Sequence, residues 1–182
     1  MKFFPSAITL AVLACTSATV SAEEVKFSLG GGIYNTTHEF DLNYKEQEFS
    51  GIGLTATAAF RNHLGARINL FATENDKNSR WEASGFDVLA LAGFNLTAIG
   101  FKAYAGAGFF RETWEDRGYE ESFTGPQFSV GLGYNWNKVS VDYMLNFRDT
   151  SDYDGMWVNI RTGQEAELSS VNSSMLSVSY RF

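Results

Sequence analysis

Apolar residues in this chain recur at alternate positions over eight separate stretches, the mark of strands that send successive side chains to opposite faces of a sheet. In Phe101 to Phe110 one face carries Phe101, Ala103, Ala105, Ala107 and Phe109, and the other Lys102, Tyr104, Gly106, Gly108 and Phe110. Phe128, Val130, Leu132, Tyr134 and Trp136 alternate with Ser129, Gly131, Gly133 and Asn135. Val139 to Phe147 alternate with Ser140, Asp142, Met144, Asn146 and Arg148, and Ile52 to Phe60 and Leu64 to Leu70 behave likewise. Val25 to Ile33 opens the series and Leu176, Val178, Tyr180 and Phe182 close it. Phe86 to Asn95 is apolar on both faces. There Asp87 decides, because a carboxylate facing lipid is costly, and Phe86, Val88, Ala90, Ala92 and Phe94 go outside.

The connections alternate in length. Arg61 to His63, Leu96 to Gly100 and Asn137-Lys138 are short, whereas Thr36 to Glu48, Thr73 to Ser84, Glu112 to Gly125 and Asp149 to Val171 are long and polar. Short turns on one side and long loops on the other, on an even number of strands of roughly ten residues, match a barrel that crosses a bilayer. A soluble ligand-binding barrel would reverse the faces, with apolar residues inward. A secreted β-sandwich also alternates, but the last strand, Ser174 to Phe182, stops on an aromatic residue with Tyr180 two positions earlier. The expected fold class is therefore all-β, an eight-stranded antiparallel up-and-down transmembrane β-barrel.

Residues 1–22 read as a signal peptide: Met1-Lys2, the apolar stretch Phe3 to Ala14, then small residues ending in Val20-Ser21-Ala22. A lipoprotein reading of Val12-Leu13-Ala14-Cys15 competes, but its apolar run would be short. Residues 23–182 then form the barrel domain, and the one Cys, Cys15, departs with the leader, which suits an oxidising compartment. A net charge of −7 with scattered Lys and Arg argues against a nucleic-acid partner. The mean hydropathy of −0.16 argues against membrane helices, but not against strands whose lumen faces dilute their apolar faces.

Tyr104-Ala105-Gly106-Ala107-Gly108, Gly131-Leu132-Gly133-Tyr134, Val141-Asp142-Tyr143 and Val178-Ser179-Tyr180-Arg181-Phe182 carry a resemblance, over the whole of residues 23–182, to the small eight-stranded outer-membrane barrels of Gram-negative bacteria. The OmpX/Ail type fits better than full-length OmpA, since no peptidoglycan-binding domain follows the barrel. The resemblance implies the cell outer membrane, with outer-membrane lipid and lipopolysaccharide as surroundings. It implies that Leu176, Val178, Tyr180 and Phe182 form a signal for the barrel-assembly machinery, and that the protein acts in envelope integrity, or in surface interaction and adhesion to host surface or matrix proteins. A monomer is expected.

An eight-stranded barrel has a lumen that side chains fill, so an open pore is not expected. The inward set Lys26, Arg67, Asp87, Lys102, Asp142, Arg148 and Arg181 should form a polar network there, since buried charges need partners. Arg67 and Asp87 lie equidistant from the middle of the Thr73 to Ser84 connection and are expected to pair. A narrow gated ion path is the alternative to a plug. The long loops hold much of the acid, including Glu39, Glu46, Glu112, Glu115, Glu120, Asp149, Asp152 and Glu165, and loop aromatics Trp114, Tyr119, Tyr153 and Trp157 are candidate surface contacts. A lipid A-modifying enzyme is the other class. His38, with Asp76 or Ser79, is its sole candidate, because His63 falls in a short turn. No Cys or His cluster suggests a metal, and no cofactor is expected.

Overall fold

The computed structural model describes residues 25–40, 46–78, 80–116, 118–153 and 168–182. The leader assigned to residues 1–22 lies outside them. Eight strands, β1 (Val25–Phe40), β2 (Gln47–Phe60), β3 (Leu64–Asn75), β4 (Trp81–Phe94), β5 (Gly100–Asp116), β6 (Tyr119–Asn135), β7 (Val139–Arg148) and β8 (Leu168–Arg181), pair antiparallel in sequence order. β1 pairs with β8 from Ser28↔Arg181 to Phe40↔Leu168 and closes the sheet into a barrel. Closure leaves no unpaired edge, which is what allows a sheet to sit in hydrocarbon.

Each strand turns its apolar parity outward. Ile52, Leu54, Phe101, Phe109, Leu132 and Val178 are exposed on the outer wall, while Asn69, Asp87, Ser129 and Asn146 are fully buried inside. In β4 the outward set is Phe86, Val88, Ala90, Ala92 and Phe94 and the inward set Asp87, Leu89 and Leu91, the orientation assigned from Asp87. The outward run Phe101 to Phe109 rises about 21 Å along the barrel axis at ordinary strand rise and a tilt near 40°, close to the roughly 25 Å apolar band of such barrels. Phe60, Phe94, Trp136, Tyr180 and Phe182 stand exposed at the end that holds the short turns. That is an aromatic girdle at one edge of the apolar band.

The turns at this end follow local chemistry. Arg61 and Asn95 take left-handed conformations, each with φ 58°, to reverse the chain after β2 and β4. Asn62 Nδ2 donates to Asn95 Oδ1 at 3.2 Å, joining the two turns, and Asn95 Nδ2 donates to the Phe101 carbonyl at 3.0 Å. Glycine is required where strands approach too closely for a side chain: a Cβ on Gly108 would lie 1.8 Å from the Val88 carbonyl oxygen.

At the opposite end the expectation of three long loops before Gly125 is corrected. β1 and β2 run on to Phe40 and Gln47, β3 and β4 to Asn75 and Trp81, and β5 and β6 to Asp116 and Tyr119. Most of residues 36–48, 73–84 and 112–125 is therefore paired strand, with register continuing through Thr37↔Glu48, Glu74↔Glu82 and Asp116↔Tyr119. Polar side chains there face water or the lumen mouth while the backbone keeps its ladder, so polarity marks the end of the membrane and not the end of the strand. In the fourth connection a 3-10 turn, Ser151–Tyr153, is anchored to β6 by the Thr124 backbone N–H donating to Asp152 Oδ2 at 2.6 Å.

Val130 lies opposite Ala105 near mid-belt on the lipid face. Val130→Arg should destabilise the barrel by about 2–4 kcal/mol in urea titrations in lipid vesicles, and Val130→Leu by much less.

Candidate functional site: the lumen and its rim

The lumen is filled in layers, each supplied by inward parity positions of several strands. The upper charged layer centres on Arg148 of β7. Its Nη2 donates to Asp87 Oδ1 of β4 at 3.0 Å and to Tyr34 Oη of β1 at 2.8 Å, and its Nη1 donates to Glu112 of β5. Tyr34 Oη also lies 3.0 Å from both Asp87 Oδ2 and Ser173 Oγ, and Asn69 Nδ2 donates to Asp87 Oδ2 at 3.2 Å. The guanidinium sits over the Phe71 and Phe110 rings, 5.2 and 4.6 Å from their centroids. Such stacking suits arginine's planar, weakly hydrated head. Two carboxylates thus surround one guanidinium, and His38 Nε2 stands 3.2 Å from Glu112 Oε1.

The lower charged layer centres on Asp142 of β7. Lys102 Nζ donates to Asp142 Oδ2 and to Ser140 Oγ, each at 2.8 Å. Arg67 reaches Asp142 Oδ1 with Nη2 at 3.4 Å, Tyr104 Oη with Nη1 at 2.6 Å and Thr57 Oγ1 with Nε at 2.9 Å. Tyr104 crosses the lumen over Gly131, where a Cβ would come within 2.2 Å of its ring. That glycine makes room for the ring. Leu89, Leu91, Leu96 and Met144 pack with Tyr104 in one apolar cluster. Nearest the periplasmic end, Arg181 donates to the Trp136 and Thr97 carbonyls, and Lys26 is half-buried close by.

Above the charges lies an aromatic cap. Phe49, Ala83, Phe110, Trp114, Phe123, Tyr153 and Val171 form one buried cluster, with Phe123 and Tyr153 stacked at 4.2 Å between centroids. Burial pushes the Tyr153 hydroxyl well above the ordinary phenol range, so it remains neutral. Trp114 Nε1 donates to Glu112, tying the cap to the upper charged layer.

Several expectations are corrected by this geometry. Arg67 and Asp87 do not pair: Asp87 sits opposite Asn69, Arg67 sits opposite Leu89, and each finds its charge partner across the lumen on β7. The β3–β4 hairpin is centred on residue 78, one position beyond the expected centre, and that displaces pairing by two residues. Trp114 and Tyr153 are not surface contacts, with 9% and 0% exposure, whereas Tyr119 is 85% exposed and Trp157 lies outside the described residues. His38 is fully buried against the edges of Phe49, Trp114 and Tyr153, and its acidic neighbour is Glu112. Asp76 is exposed in the turn after β3, and Ser79 lies outside the described residues. Tyr34, Asn69, Tyr104 and Glu112 were missing from the expected network. Glu112 and Trp114 share the parity of Lys102, and His38 that of Tyr34, so carrying the alternation a few residues further would have placed all three inside.

The outer membrane protein beta-barrel domain family matches residues 6–182. The chain belongs to this family. Its members' membrane is its own, so the apolar outer wall faces outer-membrane lipid; by the rule that such barrels keep their short turns toward the periplasm, the end with the extended hairpins faces the exterior. Among solved structures, Ail of Yersinia pestis has 18% identity and a TM-score of 0.58 over 86% of this chain and 98% of its own. OprG of Pseudomonas aeruginosa has 14% identity and a TM-score of 0.58 over 86% and 95%. Neisserial surface protein A has 16% identity and a TM-score of 0.56 over 85% and 95%. These likenesses are of fold. No curated protein sequence matches the chain.

Arg148→Met removes the cation that holds Asp87 and Glu112, and it should cost about 3–5 kcal/mol in urea unfolding from lipid vesicles, the usual cost of stranding a buried charge. Adding Asp87→Asn and Glu112→Gln should recover part of that loss.

Proposed function

We propose that this outer-membrane barrel neither conducts nor catalyses, and that it works through the outer wall of its extended hairpins in surface contact. The lumen filled with side chains carries the reading. Two charged clusters, apolar side chains packed among them and an aromatic cap fill the bore, and the ion pairs bond strands to one another across it, so the lumen acts as a strut. His38 inside that stack has no route to a lipid A headgroup, which disfavours the enzymatic alternative.

The wall above the apolar belt is acidic. Glu74↔Glu82, Glu82↔Glu115 and Glu115↔Glu120 are direct cross-strand pairs, so four exposed carboxylates cross β3 to β6 in one row. Like charges directly opposite weaken a sheet. Such a wall repels polyanions and favours cationic partners, or lipopolysaccharide bridged by divalent ions. Ail has been solved in complex with the heparin analogue sucrose octasulfate. The acidic row disfavours a ligand of that kind here. The surface reading takes a host surface or matrix protein as partner and a monomer as the acting form. Leu176, Val178 and Tyr180, outward on β8, and Phe182 just beyond it serve in it as the contact for the barrel-assembly machinery.

Replacing Glu74, Glu82, Glu115 and Glu120 by Gln should change adhesion of expressing cells to matrix and leave envelope permeability unaltered. Changed permeability with unchanged adhesion would favour an envelope role. The wild-type protein should give no conductance steps in planar bilayers, and regular steps would sink the plug. His38→Ala should leave the lipid A species seen by mass spectrometry unchanged.

A further inference from the structure

The two charged layers are unequal. Among the described residues the upper has one guanidinium against two carboxylates, with the His38 imidazole beside Glu112, whereas below it three buried cations, Arg67, Lys102 and Arg181, have one carboxylate bonded among them, Asp142. Asp142 is saturated: Lys102, Arg67, Tyr104 and Ser140 all bond to its two oxygens. Arg181 is held by the carbonyls of Trp136 and Thr97, which supply dipoles and no compensating charge. Buried charge without a counter-charge is costly, so these cations set up a positive potential at the periplasmic end of the lumen. Lys26, half-buried beside them, has its own contacts and adds to the same field.

The three cations converge on a cavity of about 20 Å³, also lined by Tyr104 and Asn135. A site needs roughly 10–15 Å³ to take one water-sized particle, so this one suits a monatomic anion better than phosphate or sulfate. We propose that the periplasmic vestibule of the lumen binds a single halide ion, chloride in the cell envelope, between Arg67, Lys102 and Arg181. The ion supplies the charge that Asp142 cannot and locks the periplasmic end of the side-chain stack. The proposal is independent of what the outer wall contacts.

The full chain, folded in detergent micelles, can be crystallised with sodium bromide, and one anomalous peak is expected in this cavity. In solution, the unfolding midpoint should rise saturably with sodium chloride relative to sodium gluconate at equal ionic strength. Sodium sulfate should raise it only without saturation, as general exclusion from the protein surface does. Arg181→Gln and Lys102→Met should each weaken the apparent chloride affinity at least tenfold and abolish the bromide peak. No peak in the wild type, or a rise with chloride that does not saturate, would overturn the proposal, and the wild-type arms decide it even if a variant fails to fold.

Discussion

The pairing of β1 with β8 is the constraint on which the rest depends. In hydrocarbon no water is available to an unpaired N–H or carbonyl, so a sheet persists there only if its last strand meets its first. With eight strands, closure fixes a bore of side-chain width, and every inward residue must then be compatible with residues from the opposite wall. Gly131 beneath the Tyr104 ring follows from this closeness, whereas Gly108 answers to the adjacent strand, whose Val88 carbonyl leaves no room for a Cβ.

Closure also decides where charge can go. The outward parity of the spanning segments is held by lipid, so ionised groups at membrane depth face the bore and find partners there. Arg148 with Asp87 and Asp142 with Arg67 join β7 to β4 and β3 on the far side of the barrel, while Glu112 and Lys102 of β5 reach β7 past the one strand between them. These bonds brace opposite walls in a way that ladder hydrogen bonds between neighbouring strands cannot. Among the described residues carboxylates outnumber the guanidinium in the upper cluster, and cations outnumber the carboxylate in the lower.

Above the membrane the same alternation continues with different chemistry. β1 to β6 keep their ladders past the apolar belt, so Glu112, Trp114 and His38 turn inward as extensions of the lumen while Glu74, Glu82 and Glu115 turn out to water. The aromatic cap is the consequence. Rings that look like exposed loop residues in a polar stretch are the inner face of a strand that outruns the bilayer, and the acidic row is its outer face.

The sequence by itself determined the architecture: eight strands, their short turns, and which face of each meets lipid, including the ambiguous β4 through Asp87. It could do so because the contrast between lipid and lumen is written at every second residue and is read locally. What only the tertiary structure decided was the pairing within the bore and the fate of the polar stretches. Arg67 meets Asp142 from 75 residues away and Arg148 meets Asp87 from 61, distances over which parity says which side a residue faces but not what stands opposite. That depends on strand stagger, where a shift of one in the centre of a hairpin moves every pair by two residues. Strand ends were hidden for a related reason. Outside the membrane both faces of a strand are free to be polar, so the hydrophobic signal stops at the lipid boundary while the hydrogen-bond ladder continues.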